Sequence, residues 1–170
     1  DTSSQWDITA AKNNSSSFQV LLEGAGVLDD QYLVVTTNAN GLFSSATSWM
    51  TNAETVSAGY ENTFTKDFNS DGLISGGTYY QLLGDNGAVT FKRTSGSAGW
   101  NDDTSSQWDI TAAKNNSSSF QVLFEGTGAL DNQYLVGTTN ANGLFSSATS
   151  WMTHTQTVSA GHENTFTKDF

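Results

Sequence analysis

The sequence predicts a mainly β fold: a tandem repeat of antiparallel β modules, each a meander of short strands with one short helix. Three observations carry that expectation. A block covering residues 1–68 recurs almost unchanged as residues 103–170, and internal repetition sets architecture before any local pattern does. Within the block, apolar and polar residues alternate with the period of two that a half-buried strand requires. The chain has no proline and 16 glycines, and its Asn-, Asp- and Gly-rich stretches fall between the alternating runs, where tight turns belong.

The elements follow in order. Gln5 to Ala11 alternates, with Trp6, Ile8 and Ala10 on one side and Asp7 and Thr9 on the other. Lys12-Asn13-Asn14-Ser15-Ser16 is a polar turn. Ser17 to Glu23 alternates again, with Phe18, Val20 and Leu22 on one face. Gly24-Ala25-Gly26 and Asp29-Asp30 frame a loop before Gln31 to Thr37, a strand rich in β-branched and aromatic residues. Asn38-Ala39-Asn40-Gly41 ends in Asn-Gly, a strong hairpin signal, and Leu42 to Met50 reads as the returning strand. The period then changes. Thr51 and Glu54, like Thr153 and Gln156 in the second copy, have the spacing of a capping box. Val56, Tyr60 and Phe64 follow at helical intervals, which predicts a short helix over 54–65, weakened by Gly59. A strand over Thr78 to Leu83, a Gly84-Asp85-Asn86-Gly87 turn and a strand over Ala88 to Arg93 make a second hairpin. Thr94 to Asp103 is a Gly/Ser-rich connection holding Trp100.

The repeat unit is then about 102 residues, the shared block plus Asn69 to Asp102. The expected domains are 1–102, a complete first module, and 103–170, a second, truncated copy. Because the second copy stops inside a motif that the first completes, the sequence reads as a window on a longer array. The two copies differ at Leu22/Phe124, Ala25/Thr127, Val27/Ala129, Asp30/Asn132, Val35/Gly137, Asn52/His154, Ala53/Thr155, Glu54/Gln156 and Tyr60/His162. Phe124 enlarges a core position, and the smaller Ala129 and Gly137 in the same copy are expected to make room for it.

Composition narrows the function classes. Charged residues make up 14% of the chain, against a usual ~25%, with Ser, Thr, Asn and Gly in their place; many secreted β-proteins have this character. The net charge of −11, with six Lys and Arg in all, argues against nucleic acid and anionic membrane surfaces as partners. No apolar run approaches the ~18 residues of a membrane-spanning helix. There is no cysteine, so nothing in disulfide chemistry fixes the compartment.

The best chemical motif is Asp67-x-Asn69-x-Asp71-Gly72, with Leu73 placed to offer its backbone carbonyl. Oxygen-bearing side chains at alternate positions before a sharp glycine turn can converge on Ca²⁺. The twelfth position, however, is Thr78 rather than a bidentate carboxylate, so a further ligand is expected from elsewhere, such as Asp85 or Asp102. The competing reading is an Asn/Asp/Gly turn without metal. The five tryptophans suggest sugar platforms or core packing; Trp6 and Trp108 sit on the apolar side of alternating strands and read as core, whereas Trp100 is the one expected at the surface as a ligand-binding residue. His154 and His162 replace Asn52 and Tyr60, and a residue absent from the sister copy is a poor catalyst candidate. Carboxylate pairs for glycoside hydrolysis would have to come from Glu23, Asp29, Asp30, Glu61 and their copies. No nucleophile elbow or phosphate loop is present, and no enzyme activity is expected.

Trp-Asp-Ile-x-x-Ala, Phe-Gln-Val-Leu-Leu, Gln-Tyr-Leu-Val-Val, Asn-Ala-Asn-Gly, Ser-x-x-Ser-Trp and Asp-Phe-Asn-Ser-Asp-Gly, in that order, resemble the tryptophan-rich Synechocystis C-terminal domain. That resemblance implies a setting in large, secreted, repetitive bacterial proteins, often beside calcium-binding repeats. The expected function is a non-enzymatic, extracellular or cell-surface structural or adhesive module, stabilised by calcium, in a surface layer, fibre or large adhesin. Its expected partners are copies of itself, associating head to tail, or a cell-surface polymer. The alternative is a carbohydrate-binding, lectin-like module that takes glycans on exposed Trp and Asn/Asp. The head-to-tail expectation rests on the second block, which lacks its own copy of residues 69–102 and should expose an unpaired sheet edge.

Overall fold

A computed structural model describes residues 5–94 and 99–170, apart from the side chain of Asp102. Residues 95–98 of the Gly/Ser connection, and the Asp102 side chain considered as a calcium ligand, lie outside the described residues. The protein is mainly β with short helices, and the chain divides into two compact units, Asp1–Asn69 and Ser70–Phe170.

The first unit runs β1 (Trp6–Asn13), β2 (Ser17–Gly24), a 3-10 turn over Gly26–Leu28, β3 (Gln31–Asn38), β4 (Phe43–Ala46), β5 (Met50–Thr51), α1 (Asn52–Ser57) and α2 (Tyr60–Phe64). Its antiparallel sheet has the order β1-β2-β3-β4, with β5 also pairing β3. One face carries the helices, and there Leu21, Tyr32, Val34 and Phe68 are buried with Ala10, Met50, Val56, Tyr60 and Phe64 packed against them.

The second unit begins with β6 (Leu73–Ile74), β7 (Gln81–Gly84) and β8 (Gly87–Thr90), an antiparallel sheet of its own. It continues with β9 (Trp108–Asn115), β10 (Ser119–Gly126), β11 (Gln133–Asn140), β12 (Phe145–Ala148), β13 (Met152–Thr153), α3 (His154–Ser159) and α4 (His162–Phe166). The larger sheet, β12-β11-β10-β9 with β13 on β11, has the same order as that of the first unit. Its helix side buries Ala112, Leu123, Tyr134, Val136 and Phe166. Its other face carries a further core, in which Leu73, Leu82 and Phe91 pack against Ile110, Ala113, Phe120, Val122 and Phe124. Fully burying large apolar side chains such as Leu73, Leu82 and Phe91 is worth about 1.5–3 kcal/mol each. The strands β6 to β8 and Phe91 are therefore held by packing on the block that follows them. The sequence reading set the module boundary after Asp102, whereas the compact units meet at Asn69 and Ser70.

Three local features differ from the reading by alternation. The β1–β2 register passes from Ile8↔Leu22 to Ala10↔Leu21, a bulge at Thr9 that turns Ile8 and Ala10 to opposite faces. The bulge recurs in the second sheet, where Ile110 joins the hairpin-side core and Ala112 the helix-side core. The strand expected over Leu42 to Met50 is two strands, β4 and β5, both on β3. Between them Thr47 donates its N–H to the Val34 carbonyl and accepts the Val34 N–H on Oγ1, each at 3.0 Å. The single helix expected over 54–65 is also two, α1 and α2, separated at Gly59, whose φ of 75° interrupts the right-handed run. Both capping boxes form, Thr51 with Glu54 and Thr153 with Gln156.

Candidate functional site

The most informative site is the sheet face opposite the helices, because the same residues meet different surroundings in the two units. In the second unit that face holds the β6 to β8 segment by backbone as well as side chains. Ala113 N–H donates to the Asp71 carbonyl at 2.7 Å; Lys92 donates to the Gly143 carbonyl at 2.8 Å and accepts from Phe145 N–H at 3.0 Å. Two polar contacts pin its sides: Tyr80 Oη donates to Asp109, and Asn115 Nδ2 donates to Asp85 Oδ1 at 2.6 Å. Glycines let backbones close in. A Cβ on Gly72 would lie 1.9 Å from the Ala113 carbonyl oxygen, and one on Gly143 would lie 2.3 Å from that of Thr90.

In the first unit the corresponding face is open. Ile8 is 65% exposed where Ile110 is 5%, and Leu42 and Phe43 are 65% and 70% exposed. Around Gly41 nothing lies within 4 Å of a would-be Cβ. Sequence reasoning missed this face because it assigned the hairpin to the block before it. The available signal was the unbroken apolar run Val20-Leu21-Leu22 and the pair Val34-Val35; strands apolar on both sides need cover on both faces.

The calcium motif straddles the two units: Asp67 and Asn69 end the first, and Asp71 and Leu73 begin the second. Asp71 Oδ1 accepts the Leu73 N–H at 2.7 Å, closing a turn across Gly72, which is left-handed with φ of 81°. Leu73 itself is buried in β6. Thr78 is exposed, and Asp85, the ligand considered from outside the loop, is engaged by Asn115. Among the described residues no group of three or more His, Cys, Asp and Glu side chains is arranged to hold a metal, but the motif's own donors mix carboxylate, amide and backbone oxygens. A carboxylate that accepts one amide N–H has lone pairs for more than one partner, so the turn at Asp71 and a bound cation are chemically compatible.

Trp100 is not a surface platform. It is half-buried amid Phe91, Trp108, Phe124 and Phe145, with ring centroids 5.0, 5.1, 5.5 and 5.5 Å away. Its outer edge still walls a shallow cleft of about 240 Å³ in the second unit, shared with Trp108, Trp151, Phe145 and Leu130. Gln107 is the one amide or charged side chain on that wall. The indole N–H of Trp100 is buried with no hydrogen-bond partner among the described residues.

Three of the carboxylates considered for hydrolysis have structural partners. Glu23 pairs with Lys66 at 2.6 Å, as Glu125 does with Lys168 at 2.7 Å, and the fully buried Glu61 accepts the Phe68 N–H at 2.9 Å. Lys66 also lies 5.0 Å from the ring centroid of Tyr32. Burial, reinforced by the Glu23 charge, pushes the Tyr32 hydroxyl up to about 12. Burial likewise raises Tyr134, with Glu125 adding to it. His154 and His162 open α3 and α4, and His162 packs 6.2 Å from Phe166. Comparison of the chain with family models, with curated proteins and with solved structures finds no match in any of the three.

Proposed function

We propose that this protein is a non-enzymatic structural or adhesive repeat module of extracellular or cell-surface polymers, whose units associate serially, head to tail. One observation carries the reading: the same apolar sheet face is covered in the second unit and bare in the first. Contiguous exposed apolar surface of this kind marks interaction sites, and a contact between unlike surfaces propagates into a filament wherever its rotation does not close a ring. The low content of charged residues, with Ser, Thr and Asn in their place, and the resemblance to domains of large secreted proteins support the setting. Calcium bound by Asp67, Asn69, Asp71 and the Leu73 carbonyl is part of the proposal and would rigidify the turn at Gly72. Sedimentation over a range of concentrations tests it. Weight-average mass should rise continuously with concentration, and a chain still monomeric at ~1 mM, the limit of weak affinity, refutes serial association.

The aromatic cleft beside Trp100 and Trp151 favours a second reading, a glycan-binding module. Rings of this kind offer flat apolar faces on which a sugar ring can stack. Glycan-array binding lost in Trp151→Ala, which leaves the packed Trp100 in place, would favour it.

A further inference from the structure

The two sheet faces opposite the helices are nearly the same surface. The residue at each of Ile8, Ala11, Phe18, Val20 and Phe43 is unchanged at the position 102 further on. The polar pins are retained as well: Asp7 and Asn13 stand where Asp109 and Asn115 hold Tyr80 and Asp85. The two differences on the face compensate in volume, Leu22 and Val35 against Phe124 and Gly137. In the second unit this surface is covered by Leu73, Leu82, Phe91 and their neighbours from the preceding segment. That segment occurs once in the chain, while the face occurs twice. Within residues 1–170 that segment packs on the second unit, and the first unit presents a second acceptor of the same kind.

We infer that the open face of the first unit is the docking site for a β-hairpin of the Ser70–Asp102 type, supplied by a further copy of that segment. This rests on the serial-association reading and names its surface and occupant. The register is set by the second unit. The incoming Asp71 carbonyl meets Ala11 N–H on the edge strand β1, and the incoming Lys92 backbone pairs beside Gly41 and Phe43. Leu73, Leu82 and Phe91 of the incoming segment cover Ile8, Phe18 and Val20. Tyr80 reaches Asp7, and Asp85 reaches Asn13. The polarity is opposite to that expected from the sequence, since the hairpin completes the block that follows it. Donation of strands to an incomplete sheet is an established mode of chain association.

Gly41 gives the sharpest test. In the free chain its φ of 77° accounts for glycine, and a Cβ there would touch nothing within 4 Å. With a hairpin docked, the same Cβ would meet the incoming Thr90 carbonyl, as a Cβ on Gly143 would at 2.3 Å. The probe is a synthetic peptide of residues 70–102, titrated by calorimetry into the whole 170-residue chain. One peptide should bind per chain. Ile8→Asp and Phe43→Asp should weaken it by at least about tenfold; both side chains are solvent-exposed, so these variants keep their fold. Gly41→Ala should weaken binding as much while leaving the free chain's circular dichroism unchanged. A non-specific greasy contact would survive Gly41→Ala, and that result overturns the inference. So does an absence of binding at ~1 mM peptide, or a symmetric dimer through this face that the peptide fails to dissolve. The outcomes separate from the parent reading: chains that associate without binding peptide sink the hairpin, and chains that bind peptide but never associate sink the serial assembly.

Discussion

The ring of Phe124 fills the space that a side chain at position 137 would need: a Cβ on Gly137 would lie 2.8 Å from Phe124 Cε2 and 2.9 Å from Phe145 Cε2. In the first copy the same two positions are Leu22 and Val35. The pair was exchanged together, a larger ring against a missing side chain, and the sheet kept its strand order. Ala129, the other shrunken position, is exposed and plays no part in this exchange.

Gly137→Val should therefore overpack the second unit and cost ~1–3 kcal/mol. Gly137→Val combined with Phe124→Leu should recover most of that loss, because it recreates the pairing of the first unit. Urea unfolding of the single and double variants closes a double-mutant cycle; a coupling near zero would show that the two positions do not share one space.

Gly41→Ala and Gly143→Ala separate backbone strain from steric contact. Both glycines are left-handed, with φ of 77° and 72°, a conformation that costs other residues roughly 1–2 kcal/mol. Only at Gly143 does the added methyl meet backbone. Amide hydrogen exchange, read unit by unit, should show a modest loss of protection in the first unit for Gly41→Ala. Gly143→Ala should give a larger loss in the second, concentrated in residues 70–94. Equal losses would mean that the close approach to Thr90 carries no energy.

The tyrosines give an alkaline dependence. Tyr32 titrates at about 12 in the folded chain, against an unfolded value of about 10, so the folded state holds its proton longer. Its contribution is complete below pH about 10 and is lost as pH rises to about 12, since the native state then binds more protons than the unfolded one. Tyr134 acts in the same direction in the second unit. Urea midpoints followed by near-ultraviolet circular dichroism should fall across that window, and less in Tyr32→Phe. An ultraviolet titration in which every tyrosine ionises near 10 would contradict the burial.

Calcium titrated calorimetrically into the whole chain should give one site, weakened in Asp71→Ala, which removes a ligand and the acceptor of the Leu73 N–H together. Asp71→Asn retains the turn's acceptor and removes only charge, so it separates a folding defect from a lost ligand. No heat at millimolar calcium, the range of weak extracellular sites, leaves Asp67 to Gly72 as a turn.

The sequence by itself determined the duplicated block, the meander of β1 to β4, the Asn-Gly turn and both capping boxes. Each rests on interactions between residues close in the chain, which alternation, spacing and turn chemistry record directly. It offered both Ala129 and Gly137 as room for Phe124, and only the structure shows that Gly137 is the one. What it did not determine was which block the hairpin of residues 70–102 completes. That segment abuts Phe68 on one side and Asp103 on the other, and the two blocks offer it almost identical faces. The choice is made by non-local contacts, Ala113 to Asp71, Phe145 to Lys92 and Phe91 among the aromatic rings. The bulge at Thr9, the division of the helix at Gly59 and the burial of Trp100 are of the same kind. Local propensity permitted more than one outcome at each, and tertiary packing selected one.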